Sequence, residues 1–401
     1  MVQADYIHVP YGKAVYGEDE IEAVNKVLRT STQMGKHVRE MEARVAKLYD
    51  KEYGVMVNSG SSALYLAAEL MGFGEGAEII TPALTFSTTV APQVKKGWVP
   101  AFVDVEEGTY NLDATKVEEM ITPKTKAMII PNLIGNLPNW EMLRAIADKH
   151  NLFVLEDSAD TLGAEIGGQS SGRFCDMSTT SFYGSHIINC AGNGGMLCVN
   201  GEALYNRGRL LRSWGRSSSL FVESEAIENR FNVEVDGIPY DAKFVFEEPG
   251  FNIEPAELGA AFGLVQLDKL GWNIDTRTEN FRRMREFFSQ WEEHFILPKQ
   301  LPDSRTGWLA FAVTIRESAP FIRRDMQIFL EKRNIQTRTV FTGNILRQPG
   351  FKNCAHKASA NGYPESDKVM RGGMLLACHH GLSEEQLAHV MESVTAFMSQ
   401  Y

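Results

Sequence analysis

The stretch NLFVLEDSADTLGA, residues 151–164, opens on an apolar run and closes on carboxylates and a glycine. Residues 152–156 are apolar enough to form a strand buried on both faces, as in parallel sheets covered by helices. Such sheets place their ligands at the carboxyl ends of the strands, which is where Glu156, Asp157 and Asp160 fall. A carboxylate there needs a cationic or hydrogen-bonding partner to offset its desolvation. Two readings follow: a helix-capping aspartate, or an Asp157 that faces a protonated heterocyclic nitrogen.

The chain before it repeats one theme. YGVMV precedes SSALYLAAELM, AEIITP precedes STTVAPQVKKG, VPAFVDV precedes DATKVEEMI, and KAMIIP precedes NWEMLRAIADKH. Strand and helix in alternation with short loops predict an α/β fold, a mostly parallel sheet sandwiched by helices. After GGMLCVN the pattern changes to long helices, EPAELGAAFGLVQLDKL and TRTENFRRMREFFSQWEEHF. A smaller α+β unit follows, with strands near WLAFAVTI and TRTVF and helices at RRDMQIFLEKRN and SEEQLAHVMESVTAFM. The expected division is a large domain over 1–270 and a small one over 271–401.

Composition narrows the class. A chain of 401 residues with 44% hydrophobic content can bury a large core. It has no apolar run long enough to span a bilayer, and its first thirty residues lack an apolar signal region, so a cytoplasmic protein is expected. The net charge of −11 argues against a nucleic-acid surface. The five cysteines are odd in number and form no C-x-x-C pair, which argues against a disulfide framework or a cysteine-rich metal site.

Three further strand ends matter. In VNSGSSALYLAAEL, Gly60 and Ser61 sit between a strand and a helix, either as an anion cradle or as part of a plain N-cap. In ITPALTFSTTVA, Phe86 is either a cover for a flat ring or a core aromatic. In SFYGSHIINCAGNGG, residues 181–195, Ser181 precedes His186, and Gly192, Gly194 and Gly195 let the chain turn sharply. Together they form a constellation for a phosphorylated aromatic cofactor.

These stretches resemble the fold type I pyridoxal-phosphate enzymes acting on nucleotide sugars, the DegT-type aminotransferase family, over nearly the full length. That family carries its Schiff-base lysine where SFYGSHIINCAGNGG has His186, and a histidine there marks the 4-keto-6-deoxyhexose 3-dehydratases. PALTFSTTVAP, VDVEEGTYNLD, PGFNIEPAELGAAFGLVQL and RTVFTGNILRQPGF are similar to the same branch. The resemblance implies pyridoxal 5'-phosphate and pyridoxamine 5'-phosphate as cofactor. It places Gly60, Ser61 and Ser181 on the phosphate, Phe86 on the ring and Asp157 on the pyridine nitrogen, with Asp160 nearby. Asn252 matches an asparagine that reaches a partner's cofactor phosphate, which implies a homodimer with shared sites. Asn193 stands where the family usually has glutamate.

Histidine cannot tether the cofactor, but with an ordinary pKa of about 6.5 it can serve as base and then acid. The implied reaction removes the C3 hydroxyl of a nucleotide-linked 4-keto-6-deoxyhexose, His186 taking the proton from the cofactor's C4′ and L-glutamate restoring pyridoxamine phosphate. One type in this branch holds an iron–sulfur cluster on a cysteine-rich insert. RSWGRSSSLFVESEAIENRF, at the matching place, has no cysteine, so no cluster is expected. Arg212 and Arg216 around Trp214, with Arg338 or Arg347 further on, are candidates for the nucleotide diphosphate, each arginine at least as readable as a solvated surface charge. Two rivals stand beside this reading: a nucleotide-sugar 4-aminotransferase whose lysine has been replaced by His186, and a non-catalytic binding protein.

Overall fold

Side-chain alternation along the central strands decides which helices cover which face. Ile79, Ile129 and Leu155 pack in one apolar cluster with Leu64, Ala67 and Ala68 of the helix Gly60–Met71. Their strand neighbours Ile80, Ile130 and Val154 point the other way, into a cluster with Trp140, Leu143 and Ala147 of the helix Trp140–His150. Both faces are therefore dry, as a parallel sheet under helices requires.

The computed structural model describes residues 6–221 and 226–401. Its large sheet has seven strands: β1 (Tyr53–Val57), β2 (Glu78–Pro82), β3 (Val99–Val103), β4 (Thr125–Pro131), β5 (Phe153–Ser158), β6 (Met177–Ser181) and β7 (Gly195–Val199), in the order β1-β7-β6-β5-β4-β2-β3. All neighbours from β6 to β3 are parallel, and β7 alone runs against both of its neighbours. The expected mostly parallel α/β sheet is present, and the carboxyl ends of β1, β2, β4, β5 and β6 share one edge.

DATKVEEMI differs from its expected helix, forming two short 3₁₀ turns, Ala114–Lys116 and Glu118–Met120. The Asp113 carboxylate accepts from both the amide and the hydroxyl of Thr115. That local bonding competes with α-helical hydrogen bonds, and Pro123 prevents extension beyond.

The C-terminal part carries a four-stranded antiparallel sheet, ordered Phe295–Ile296, Phe311–Ile315, Gly373–Leu376 and Arg338–Thr339. TRTVF contributes only its Arg338–Thr339 pair. The long helix Leu270–Phe288 and the closing helix Glu384–Met398 pack on this sheet. Its apolar cluster also takes in Val9, Leu84, Val105, Tyr110, Leu133 and Ile134 from earlier in the chain. Among the described residues no helix is long and apolar enough to cross a membrane.

Candidate active site

The turn after β1 is shaped by serine and glycine chemistry. Ser59 caps the helix Gly60–Met71, its hydroxyl accepting from the Ser62 amide at 3.1 Å. Ser62 in turn donates to Asn58 Oδ1 at 2.7 Å. Gly60 and Ser61 hold the first helical positions, whose amides have no intrahelical acceptor and point outward at the positive end of the helix dipole. A Cβ on Gly60 would stand 2.5 Å from the Ser181 Cβ, so the missing side chain is what lets Ser181 join this cradle. Gly60→Ala is expected to lower the affinity for pyridoxamine phosphate at least about tenfold and to destabilise the fold by about 1–3 kcal/mol, since backbone or strand must shift. Equilibrium dialysis and a denaturant titration check both effects.

Asp157 ends β5 and faces the same cavity, whereas its neighbour Glu156 faces away. Glu156 is fully buried and accepts from Asn132 Nδ2, Ser171 Oγ and Ser178 Oγ, a structural network under the site. Asp157 accepts from Thr89 Oγ1 at 2.7 Å and from the Ala159 amide at 3.2 Å. Burial pushes its carboxyl up to about 6, with those two donors opposing the shift. Asp160 accepts from the Ile134 amide at 2.9 Å, and burial, aided by the Asp157 charge, pushes it up to about 7. Ile134 has φ of 63°, a left-handed conformation that a β-branched residue rarely adopts. Asp160 on its amide and the Leu309 amide on its carbonyl, at 2.9 Å, hold it there.

His186 lies in the turn after β6, its amide donating to the Tyr183 carbonyl at 2.9 Å and its ring meeting that of Tyr183 edge-on at 5.8 Å. Its Nδ1 is buried and has no hydrogen-bond partner. Burial lowers its pKa to about 4, with the Arg277 charge adding and a hydrogen bond to the Ser181 backbone opposing. At neutral pH the ring is an uncharged imidazole, a form that accepts a proton. Phe86 is half exposed, not a core residue, and stands edge-on to Phe341 at 5.8 Å.

One cavity of about 260 Å³ unites these groups: Gly60, Ser61, Phe86, Asp157, Asp160, Ser181 and His186 all line it. Asn193, Tyr183, Thr89 and Phe341 are also in the wall, and no lining residue is lysine. Anion donors, an aromatic ring, a carboxylate and the His186 ring thus share one wall. This donor set fits a phosphorylated pyridine ring.

The proposed nucleotide-binding residues and Asn252 do not join that wall. Arg212 is buried, its guanidinium donating to Glu42 Oε1 at 2.6 Å and the Met56 carbonyl at 2.9 Å, so it is a core ion pair. Arg347 is held by Asp367 at 2.6 Å. Arg216 lies over the Trp214 ring at 4.2 Å and Arg338 over the Tyr11 ring at 5.4 Å. Asn252 is exposed on a segment bridged to Ser213. The RSWGRSSSLFVESEAIENRF stretch includes residues 222–225, outside the described residues; among those described, no cluster of three or more His, Cys, Asp or Glu could hold a metal ion.

Thr89 was not legible as a site residue, although it lies three positions after Phe86, on the same helical face. Tyr183 and Phe341 carried no signal beyond being aromatic.

Known proteins share both chain and fold. A dTDP-4-dehydro-2,6-dideoxy-D-glucose 3-dehydratase of Saccharopolyspora spinosa is 33% identical, over 98% of this chain and 86% of its own. The structure of the E. coli GDP-4-keto-6-deoxy-D-mannose-3-dehydratase with bound hydrated PLP superposes with a TM-score of 0.86 at 27% identity, covering 97% of this chain and 99% of that one. A GDP-4-keto-6-deoxymannose-3-dehydratase with a trapped PLP–glutamate geminal diamine matches equally well, with a TM-score of 0.86 at 25% identity over 96% and 100% of the two chains. The DegT/DnrJ/EryC1/StrS aminotransferase family model matches residues 15–395, nearly the whole sheet and both helical layers, and the chain belongs to that family.

Proposed function

We propose that this protein is a pyridoxamine-phosphate-dependent 3-dehydratase of a nucleotide-linked 4-keto-6-deoxyhexose, with L-glutamate restoring the amine form of the cofactor. The observation that carries the reading is a cavity whose wall holds His186 and Asp157 and no lysine. The relatives named above act, by their names, on nucleotide-linked keto-sugars, and one of them was trapped with glutamate on its cofactor.

When bound, the cofactor supplies a primary amine for the C4 ketone and a ring that accepts electrons. The Gly60 and Ser61 amides and the Ser181 hydroxyl bind its phosphate, and the Phe86 ring covers its face. The Asp157 carboxylate keeps a proton on the pyridine nitrogen. His186 takes a proton from the C4′ carbon and returns it as the C3 hydroxyl leaves as water. Asp160 holds the Ile134 turn that forms the adjoining wall.

The sites are shared within a homodimer in this reading. Among the described residues that precede Asn252 in the chain, Phe221, Ile227, Ile238, Phe244 and Phe246 are between 37% and 71% exposed. Exposed apolar side chains of this kind suit burial against a second copy. Among the described residues Arg216 and Arg338 sit in no ion pair, so they remain the candidates for the nucleotide diphosphate, whereas Arg212 and Arg347 are already occupied. The large unit, 1–270, holds the cofactor residues, and the small unit, 271–401, closes the cavity through Phe341.

Incubation with pyridoxal phosphate, L-glutamate and a panel of nucleotide-linked 4-keto-6-deoxyhexoses tests the reading. A 3-deoxy ketosugar with free ammonia is expected; a 4-amino sugar would favour the aminotransferase, and no turnover on any sugar the binding protein.

A further inference from the structure

Arg277 is a charge with no counter-charge. It lies on the helix Leu270–Phe288 and is fully enclosed. Its Nε donates to Asn273 Oδ1 at 2.7 Å, its Nη1 to the carbonyls of Trp308 and Leu309 at 3.1 and 3.2 Å, and its Nη2 to the His186 carbonyl at 3.4 Å. All four acceptors are neutral. Among the described residues the ionisable groups bearing most on it are Cys378 and Tyr11, not a carboxylate. An enclosed, unpaired guanidinium is expensive to keep, and an apolar side chain of similar length would serve packing better. One of its contacts runs to the residue read above as the base.

Neither of the ionisable groups that bear on Arg277 directly cancels its charge at neutral pH. Burial holds the Cys378 thiol up at about 12 and raises the Tyr11 phenol well beyond its usual value, so both stay protonated. His379 and His380, on the segment after the strand Gly373–Leu376, are driven by burial to about 4 and about 3, so neither carries a proton. Asp160, pushed up to about 7, faces Tyr11. On the His186 side, Tyr183 packs against the ring from its own turn, and a hydrogen bond to the Ser181 backbone favours the charged form. Asn273 braces the same turn from below, its Nδ2 donating to the Ile187 carbonyl.

We propose that Arg277 is a positioning residue for His186: its hydrogen bond fixes the main chain under the imidazole, and its uncompensated charge adds to the burial that keeps that ring neutral, ready to receive a proton. This rests on His186 acting as the base. Removing the charge while keeping the volume therefore makes the imidazole easier to protonate.

Histidine-labelled protein, followed by NMR without cofactor or sugar, reads the effect directly, the His186 signal being the one lost in His186→Asn. In the native chain the ring is expected to titrate at about 4. Arg277→Met is expected to raise that value by about one unit, and Arg277→Lys, which keeps the charge, to leave it within about 0.3 unit. Should Arg277→Met not fold, Asn273→Asp sets a carboxylate against Nε and is expected to raise the value by about one unit. An unchanged value in Arg277→Met or Asn273→Asp overturns the proposal. So does an equal rise in the Lys and Met variants, which would mean only a loosened turn. The titration needs no turnover, so a protein that shows these shifts and yet dehydrates no sugar would sink the functional reading alone.

Discussion

His186→Asn is expected to lower kcat for C3 dehydration by about 10³-fold while leaving the affinity for pyridoxamine phosphate within a few-fold. Asparagine fits the space and is polar, but it cannot accept a proton at any useful pH. The residues proposed to hold the cofactor's phosphate and ring, Gly60, Ser61, Ser181, Phe86 and Asp157, line the same cavity and keep their own side chains in this variant. A kcat loss without an affinity loss separates a proton-transfer role from a structural one, because a packing residue would disturb both. His186→Lys discriminates further. It offers an amine to the cofactor aldehyde, and dehydration is expected to fall at least as far as in His186→Asn. If that variant were instead a fast C4 aminotransferase on the same sugar, the rest of the site would be built for amination, and the dehydratase reading would suffer.

Asp157→Asn is expected to cut pyridoxamine phosphate affinity by about tenfold or more and kcat by at least about 10²-fold, because the pyridine nitrogen loses its counter-charge. The same substitution is expected to stabilise the cofactor-free protein. The carboxyl stands at about 6 in the fold against an ordinary value near 4, so folding favours its protonated form. Its favourable contribution is fully present below the unfolded value and is lost as pH rises through about 6. At pH 7.5 the buried carboxylate is a burden of about 2–3 kcal/mol, which the neutral amide relieves in large part. Thermal unfolding at pH 7.5 without cofactor is expected to show a higher Tm for the variant. Cofactor affinity of the native chain is expected to be level between pH 7 and 8 and to fall by up to about tenfold per unit below pH 6, while that of Asp157→Asn stays flat there. A native affinity independent of pH across that range would mean that the Asp157 carboxylate is not the group holding the ring.

The alternation of apolar strands and amphipathic helices announced the sheet and both its layers, because strands buried on both faces read as short continuous apolar runs between stretches of helical period. The carboxyl-end motifs converged for the same reason: each lies at the end of its own strand, and a parallel sheet brings those ends to one edge. Local chemistry overrode the pattern at Asp113 and Thr115, where side chains captured the backbone before a helix could form.

Long-range partners were not legible. Nothing around Arg212 announces Glu42, and nothing around Arg347 announces Asp367, yet those pairs decide that both arginines are occupied. Arg277 is the sharpest case. In sequence it is one more cation on an amphipathic helix, and only the fold encloses it behind His186. Thr89 on Asp157 and Asp160 on the strained Ile134 turn are contacts of the same kind, made by segments that meet only once the sheet has assembled.

The account turns on a cofactor that is gripped without a covalent tether beside a neutral imidazole. Borohydride treatment of the native protein saturated with pyridoxal phosphate, followed by mass measurement of the denatured chain, tests this most directly. An unmodified polypeptide mass, with all cofactor released, is the predicted result. A stoichiometric cofactor adduct on a lysine of the chain would contradict it.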